Sequence, residues 1–249
     1  MTKYTFNSHF ATDFEYIEPK NNNLTIVYLH GFCSDAWGHK PEVVKKVCEE
    51  LGLGFVRFDY AGHGNDYENF ARADFDVWKN QVFEIIENVV KGNFVMVGAS
   101  MGGWLSLLTA IKYPERVRGV VGLAAAPNFV RRFEKIITDE QKAELEKNGY
   151  FKITNNDFTY TITARFIETA KASCLPEGEN LWKIDCPVHL IQGMKDVSVP
   201  WQEVLRYAQY ITSEKVVVKL LKDANHRLND EKTASEIRNS VINIVNIWQ

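Results

Sequence analysis

Phe94-Val-Met-Val-Gly98-Ala-Ser100-Met-Gly102-Gly103 runs a set of strand formers directly into a Gly-x-Ser-x-Gly pattern. Phe94 to Val97 are continuously apolar, as in a strand buried on both faces. Trp104, Leu105, Leu107, Leu108 and Ile111 then recur at helical spacing. A serine between such a strand and such a helix sits on a turn too sharp for side chains on its flanks. Gly98 and Gly102 let the backbone cross at close range, so the Ser100 hydroxyl stands exposed above the sheet. The pentapeptide alone occurs by chance; its flanks make it a nucleophile elbow.

A serine hydroxyl is a poor nucleophile at neutral pH and needs a base, which in turn needs a group to orient it. Beyond an elbow these partners follow in chain order, acid first and histidine last. Only His189 and His226 lie downstream. His189 sits inside the apolar run Pro187-Val-His-Leu-Ile-Gln192 and reads as a sheet histidine. His226 sits in Asp223-Ala-Asn-His-Arg-Leu228, a polar loop after the strand-like Val216 to Leu221, where catalytic side chains of open α/β sheets collect. His226 is the expected base. Two acids compete to orient it. Asp223, three residues before His226, suits a bond to its own loop backbone. Asp196, in Gly193-Met-Lys-Asp-Val-Ser-Val-Pro200, arrives from the neighbouring strand end and can reach the far ring nitrogen, so geometry favours it.

Acyl chemistry also requires two backbone donors aimed at the developing oxyanion. The amide of Met101 follows the nucleophile. The amide of Phe32 is the expected second donor, because His30-Gly31-Phe32 closes the apolar run Leu24 to Leu29. His30 is expected to be structural, packed beneath that loop.

Around these motifs the chain alternates strand and helix. Leu24 to Leu29, Phe55 to Phe58, Phe94 to Val97, Val117 to Leu123, Val188 to Gln192 and Val216 to Leu221 read as buried parallel strands. Tyr4 to Phe6 and Phe14 to Ile17 read as an antiparallel edge. Apolar stripes of Val43, Val44, Val47, Cys48 and Leu51, and of Phe75, Trp78, Val82, Ile85, Ile86 and Val89, mark core-facing helices. A last helix carries Ile237, Val241, Ile244, Val245 and Trp248, with Thr233 and Glu236 spaced as a capping box. Together these predict one domain over residues 1–249: a mostly parallel central sheet with helices on both faces. Asn128 to Lys183 interrupts it, far longer than an ordinary connection. Thr138 and Gln141 form a capping box there, Gly149 suits a left-handed helix end, and Tyr150 to Tyr160 alternates like a hairpin around Asn155-Asn156. Ile162 to Ser173 reads as helix. The insertion, residues 128–183, is expected to be a cap over the site, the alternative being a surface embellishment. As a cap, its Phe129, Phe133, Tyr150, Phe151 and Phe166 are available to line an apolar acyl pocket.

His30-Gly31, Gly98-x-Ser100-x-Gly102, Asp196 and His226 together resemble the α/β-hydrolase superfamily from about residue 12 onward. Arg57-Phe-Asp-Tyr-Ala-Gly-His-Gly-Asn65, Gly98-Ala-Ser-Met-Gly-Gly-Trp104, Gly193-Met-Lys-Asp196 and Val199-Pro-Trp201 are further similar to its abhydrolase-domain palmitoyl-protein thioesterases and acyl-glucuronide esterases. Asn65 stands where many relatives have serine. The resemblance implies the α/β-hydrolase fold with a small cap inserted after the strand that follows the nucleophile helix. It also implies a serine hydrolase of carboxylic esters or thioesters, and a substrate region near Phe32, Trp104, Phe129, Phe133 and Trp201. An acyltransferase or C–C hydrolase using the same triad, and a silent binding protein, are the alternatives; a serine at position 100 excludes the carboxylate-nucleophile dehalogenases and epoxide hydrolases.

Composition limits the rest. In 249 residues that are 45% hydrophobic there is enough material for one large core. A net charge of −3 without long single-sign runs gives no nucleic-acid footprint. No apolar stretch reaches the roughly 18 residues of a membrane span. Cys33, Cys48, Cys174 and Cys186 show neither CxxC nor metal spacing, so no metal is expected, and Gly62-x-Gly64 without a following glycine is no dinucleotide fingerprint, so no cofactor is expected. The expected substrate partner is a small-molecule or acylated-protein ester or thioester. Met1 to Phe10 has neither a hydrophobic signal core nor an Arg-rich pattern, which, with the cysteines, leads to the expectation of a cytoplasmic protein. Arg131 and Arg132, adjacent on a helix, are expected on a solvated face, with at most one turned inward.

Overall fold

The computed structural model describes residues 2–20, 23–155 and 158–248. The chain runs β1 (Thr2–Thr5), β2 (Ala11–Ile17), β3 (Leu24–Leu29), α1 (His39–Leu51), β4 (Gly54–Phe58), a 3₁₀ segment (Gly64–Arg72), α2 (Phe75–Asn88), β5 (Asn93–Ala99), α3 (Met101–Lys112) and β6 (Val117–Leu123). It continues through α4 (Val130–Ile136), α5 (Asp139–Asn148), β7 (Tyr150–Asn155), β8 (Phe158–Thr163) and α6 (Ala164–Ala172) to β9 (Val188–Gly193), α7 (Trp201–Tyr210), β10 (Val216–Leu221) and α8 (Glu231–Asn246). Eight strands make one sheet in the order β1-β2-β4-β3-β5-β6-β9-β10. β1 and β2 are antiparallel; the six from β4 to β10 are parallel.

The period-2 alternation of β3 divides its side chains between two layers. Val27 and Leu29 join Trp78 of α2, Trp104 and Leu105 of α3 and Val204 of α7 on one face. Ile26 and Tyr28 join Val44 and Val47 of α1 and Ile237, Val241 and Ile244 of α8 on the other. Burial on both faces is why β3, β4 and β5 are almost unbroken apolar runs.

Between β6 and β9 the inserted chain folds on itself. The capping box of Thr138 and Gln141 is present, and Gly149 ends α5 at φ 76°. β7 and β8 pair antiparallel, although the turn expected around Asn155-Asn156 lies partly outside the described residues. Two boundaries differ from the sequence reading. Ile162 and Thr163 belong to β8, because Tyr150 and Phe151 pair with them, and the helix starts only at Ala164. The last helix is capped by Asp230, whose carboxylate accepts from the Thr233 amide and hydroxyl; Glu236, expected in a capping box with Thr233, instead pairs with Lys219. The insertion is closed at its neck by Asn128. Its amide donates to the Leu175 carbonyl at 2.8 Å and accepts from the Leu175 N–H at 2.7 Å, so both ends of the insertion are stitched through one buried side chain. No described helix is long and apolar enough to cross a membrane.

Candidate active site

Ser100 stands at φ 51°, ψ −114°, a conformation that L residues adopt only where the surroundings impose it. The surroundings are backbone. A Cβ at Gly102 would lie 2.2 Å from the Leu29 carbonyl oxygen, and one at Gly98 would lie 2.2 Å from the Gly102 carbonyl oxygen. Only glycine permits that crossing, and the crossing raises the hydroxyl at the carboxyl end of β5.

His226 lies on the loop after β10, with Nε2 3.2 Å from Ser100 Oγ and Nδ1 2.7 Å from Asp196 Oδ2. Asp196, buried on the loop after β9, accepts four bonds. Oδ1 takes the Ser198 and Val199 amides, each at 2.8 Å; Oδ2 takes His226 Nδ1 and, at 2.8 Å, the Gln192 side-chain amide. Burial pushes the carboxyl up, but the His226, Val199 and Gln192 bonds outweigh it and hold the pKa below the ordinary aspartate value. An ionised carboxylate only accepts, so the His226 proton belongs on Nδ1 and the Nε2 lone pair faces the serine O–H. Asp223 is exposed and bound to Lys195 at 2.8 Å. Gln192 was not singled out from the sequence; the available signal was a lone amide ending an apolar strand four residues before the acid.

Two further residues hold loops around Ser100, Lys40 the one after β10 and His30 the one after β3. Lys40 of α1 donates to the Arg227 carbonyl at 2.6 Å, gripping the histidine loop from the opposite side. Burial first, and the Arg227 charge second, bring its pKa down to about 8. His30 is fully buried. Its Nδ1 bonds the Gly31 carbonyl at 2.8 Å while Nε2 accepts the Tyr60 N–H at 3.2 Å, which fixes the proton on Nδ1; burial lowers its pKa to about 4, so the ring is neutral. The Gly31 carbonyl and the Phe32 N–H share one planar trans peptide, so anchoring the carbonyl turns the N–H the opposite way. Among the described residues neither the Phe32 nor the Met101 amide donates to a protein acceptor. His63 is likewise buried, and His189 lies in β9 away from this cluster.

A cavity of about 810 Å³ opens over Ser100 and His226. Phe32 lines it, but the other aromatics expected there do not. Trp104 is wholly buried beneath, its ring 4.1 Å from Phe75. Phe129 and Phe133 pack against Phe32 and Phe166 in the core that the insertion shares with α2 and α3, and Trp201 begins α7 off the cavity wall. The physical reason is that the insertion must bury its own apolar surface first. Its contribution to the wall comes instead from β8, through Phe158 and Tyr160. Cys33 is buried next to Phe32, and burial pushes its thiol pKa up. Arg131 lies on the solvated face, paired with the exposed Glu177, and Arg132 is the one turned inward, onto Glu203 and the Ser198 carbonyl.

The profile of the alpha/beta hydrolase family matches residues 26–236, and the chain belongs to that family. Within it, the chain is similar to the mitochondrial palmitoyl-protein thioesterase ABHD10 of Rattus norvegicus, at 34% identity over 215 residues that cover 85% of this chain and 71% of the rat protein. The Homo sapiens protein of the same name is 32% identical over 220 residues, covering 87% and 71%. Among solved structures, alpha/beta hydrolase domain-containing protein 10 from mouse superposes with a TM-score of 0.86 at 29% identity, covering 100% of this chain and 99% of that one. A putative hydrolase from Agrobacterium vitis gives 0.86 at 28%, covering 98% and 97%. The expectation of a cytoplasmic protein is corrected here: the curated relatives at this identity are mitochondrial proteins.

Proposed function

We propose that this hydrolase cleaves carboxylic thioesters and esters through an acyl-enzyme on Ser100, with His226 as general base and Asp196 orienting it. The reading is carried by one observation: His226 bridges Asp196 at 2.7 Å and Ser100 at 3.2 Å. As Ser100 Oγ attacks the substrate carbonyl carbon, its proton passes to His226 Nε2. The carbonyl oxygen becomes an oxyanion held by the free Phe32 and Met101 amides. Collapse expels the thiolate or alkoxide, which takes the proton from His226, and water repeats the sequence on the acyl-enzyme. Asp196 stays ionised throughout and stabilises the imidazolium.

Residues 128–183 act in this reading as a cap, with Phe158 and Tyr160 forming the apolar wall for the acyl chain. The curated relatives are named as palmitoyl-protein thioesterases, which favours medium or long acyl groups on a thiol leaving group, from a protein or a small molecule. A fluorophosphonate probe should label Ser100 in the wild type and leave Ser100→Ala unlabelled. In a chain-length series each added methylene contributes roughly 0.8 kcal/mol, so kcat/KM should rise by up to about fourfold per carbon until the pocket is full. The rise should be shared by p-nitrophenyl esters and acyl thioesters, and blunted in Phe158→Ser. A preference for acetyl esters throughout, unchanged in that variant, removes the cap from substrate selection.

A further inference from the structure

We infer that Arg132, on the inserted helix α4, is a positioning residue for the catalytic acid, acting through the peptide group between Ser198 and Val199. The inference rests on the triad reading above. Arg132 Nη1 donates to the Ser198 carbonyl, and Nη2 pairs with Glu203 Oε2 at 2.8 Å, which also accepts from the Tyr207 hydroxyl at 2.8 Å. The Val199 N–H donates to Asp196 Oδ1 at 2.8 Å. That carbonyl and that N–H are the two ends of one rigid, planar, trans peptide, so their dipoles point in opposite directions. Holding the oxygen from the cap side therefore aims the N–H at the carboxylate. A guanidinium on the oxygen also draws electron density from the amide and makes its N–H a stronger donor, as in any chain of hydrogen bonds that polarise one another.

The connected contacts run from the insertion to the nucleophile: Arg132, the Ser198–Val199 peptide, Asp196, His226, Ser100. Arg132 is separated from Ser198 by 66 positions in the chain, so the bond joins two units that sequence does not connect. An ordinary exposed ion pair contributes little. Here the carboxylate partner, Glu203, only steadies the guanidinium; the bond that reaches the triad is the one to the neutral carbonyl. This role differs from a docking point for a substrate carboxylate, because both observed partners of the guanidinium are protein groups.

The test compares Arg132→Met, Arg132→Lys and Glu203→Gln with wild type, reading kcat, KM, melting temperature and the rate of fluorophosphonate labelling of Ser100. Arg132→Met should lose roughly tenfold in kcat and in labelling rate with KM within about twofold, since misplacing a reacting group by a fraction of an ångström costs rate and not affinity. Arg132→Lys, which keeps one cationic donor, should recover part of both even if the methionine variant folds poorly. Glu203→Gln should stay within about twofold. Three results overturn the inference. One is a labelling rate in folded Arg132→Met equal to wild type, or in folded Arg132→Lys no higher than in Arg132→Met. Another is a rise in KM with kcat held. The last is a loss in Glu203→Gln matching that in Arg132→Met. If the wild type itself is not labelled at Ser100, the triad reading fails and takes this one with it; an equal rate on labelled Ser100 sinks the Arg132 role alone.

Discussion

Ser100 and His226 approach to 3.2 Å, yet the chain under each is held by a different kind of force. Beneath the serine everything is backbone sterics: two glycines at van der Waals limits, a strand end, a positive φ. Beneath the histidine and its acid, backbone contact of Gly193 with the Ala224 carbonyl is joined by side-chain hydrogen bonds: Asp196 with Gln192 and two loop amides, Lys40 on the Arg227 carbonyl, Arg132 on the Ser198 carbonyl. The first arrangement has no titratable part and no intermediate setting. The second is adjustable, residue by residue, and responds to charge. Ser100 is thus a fixed point, and adjustment belongs to the loops after β9 and β10.

The largest effect should come from removing the fixed point. Ser100→Ala is expected to lower kcat by about 10⁶ with the circular dichroism spectrum intact, since triad members act as a unit. Residual turnover within tenfold of wild type would falsify the mechanism. On the adjustable side, Asp196→Asn should cost about 10⁴ in kcat, because an amide presents the wrong donor to His226, while Asp223→Asn changes kcat by less than about twofold. The opposite ranking in folded variants would move the acid to Asp223. Lys40→Met tests whether the histidine loop is held by its cation. A several-fold drop in kcat with a smaller change in KM is expected, and identical kinetics would leave that loop self-supporting.

The smallest effect is on stability, at the loop after β4. Asp59 follows β4, accepts the Ala36 amide at 2.8 Å and the Trp37 indole N–H at 2.9 Å, and is buried. Burial raises its pKa from 3.8 to about 6 against the pull of those two donors. Between these two values the folded chain keeps a proton that the unfolded chain has released, so this group makes stability fall as pH rises through that window. Asp59→Asn should remove that slope. Denaturant midpoints for wild type and variant, subtracted across the window, measure it; a pH-independent difference would show that Asp59 titrates normally.

How far the sequence could be read follows the same division. The elbow, the parallel strands and the order acid then histidine were legible, because sterics write themselves into local patterns: glycines at fixed offsets, a change of period from strand to helix. The placement of Asp196 and not Asp223 against His226 was legible from strand-end geometry. The cavity wall was not. Phe129 and Phe133 are apolar and on the insertion, but whether an aromatic ring faces a cavity or fills a core depends on packing partners distant in sequence, here Phe32 and Phe166. Gln192, Lys40 and Arg132 were hidden for the same reason. Each acts on a loop that approaches it only in the folded chain, and an amide, a lysine and an arginine carry no local mark of the carbonyl or carboxylate they will meet. The displaced N-cap of α8 is a smaller case: Asp230 and Thr233 both suit a cap, and the structure uses the first.

The chain leaves the sheet at Leu123 and rejoins it at Val188, and the two strands it joins, β6 and β9, lie side by side. For folding, this is a loop whose ends must find each other before β9 and β10 can add to the sheet. The entropic cost of closing a loop grows only with the logarithm of its length, by about 0.6 kcal/mol for each doubling. Lengthening the inserted chain at an exposed turn therefore adds little to the entropic cost of assembling the sheet, provided the neck stitched by Asn128 and Leu175 is kept. In the cap reading proposed above, substrate range can drift through this segment by insertion and deletion while the strand register that places Ser100, Asp196 and His226 stays unchanged.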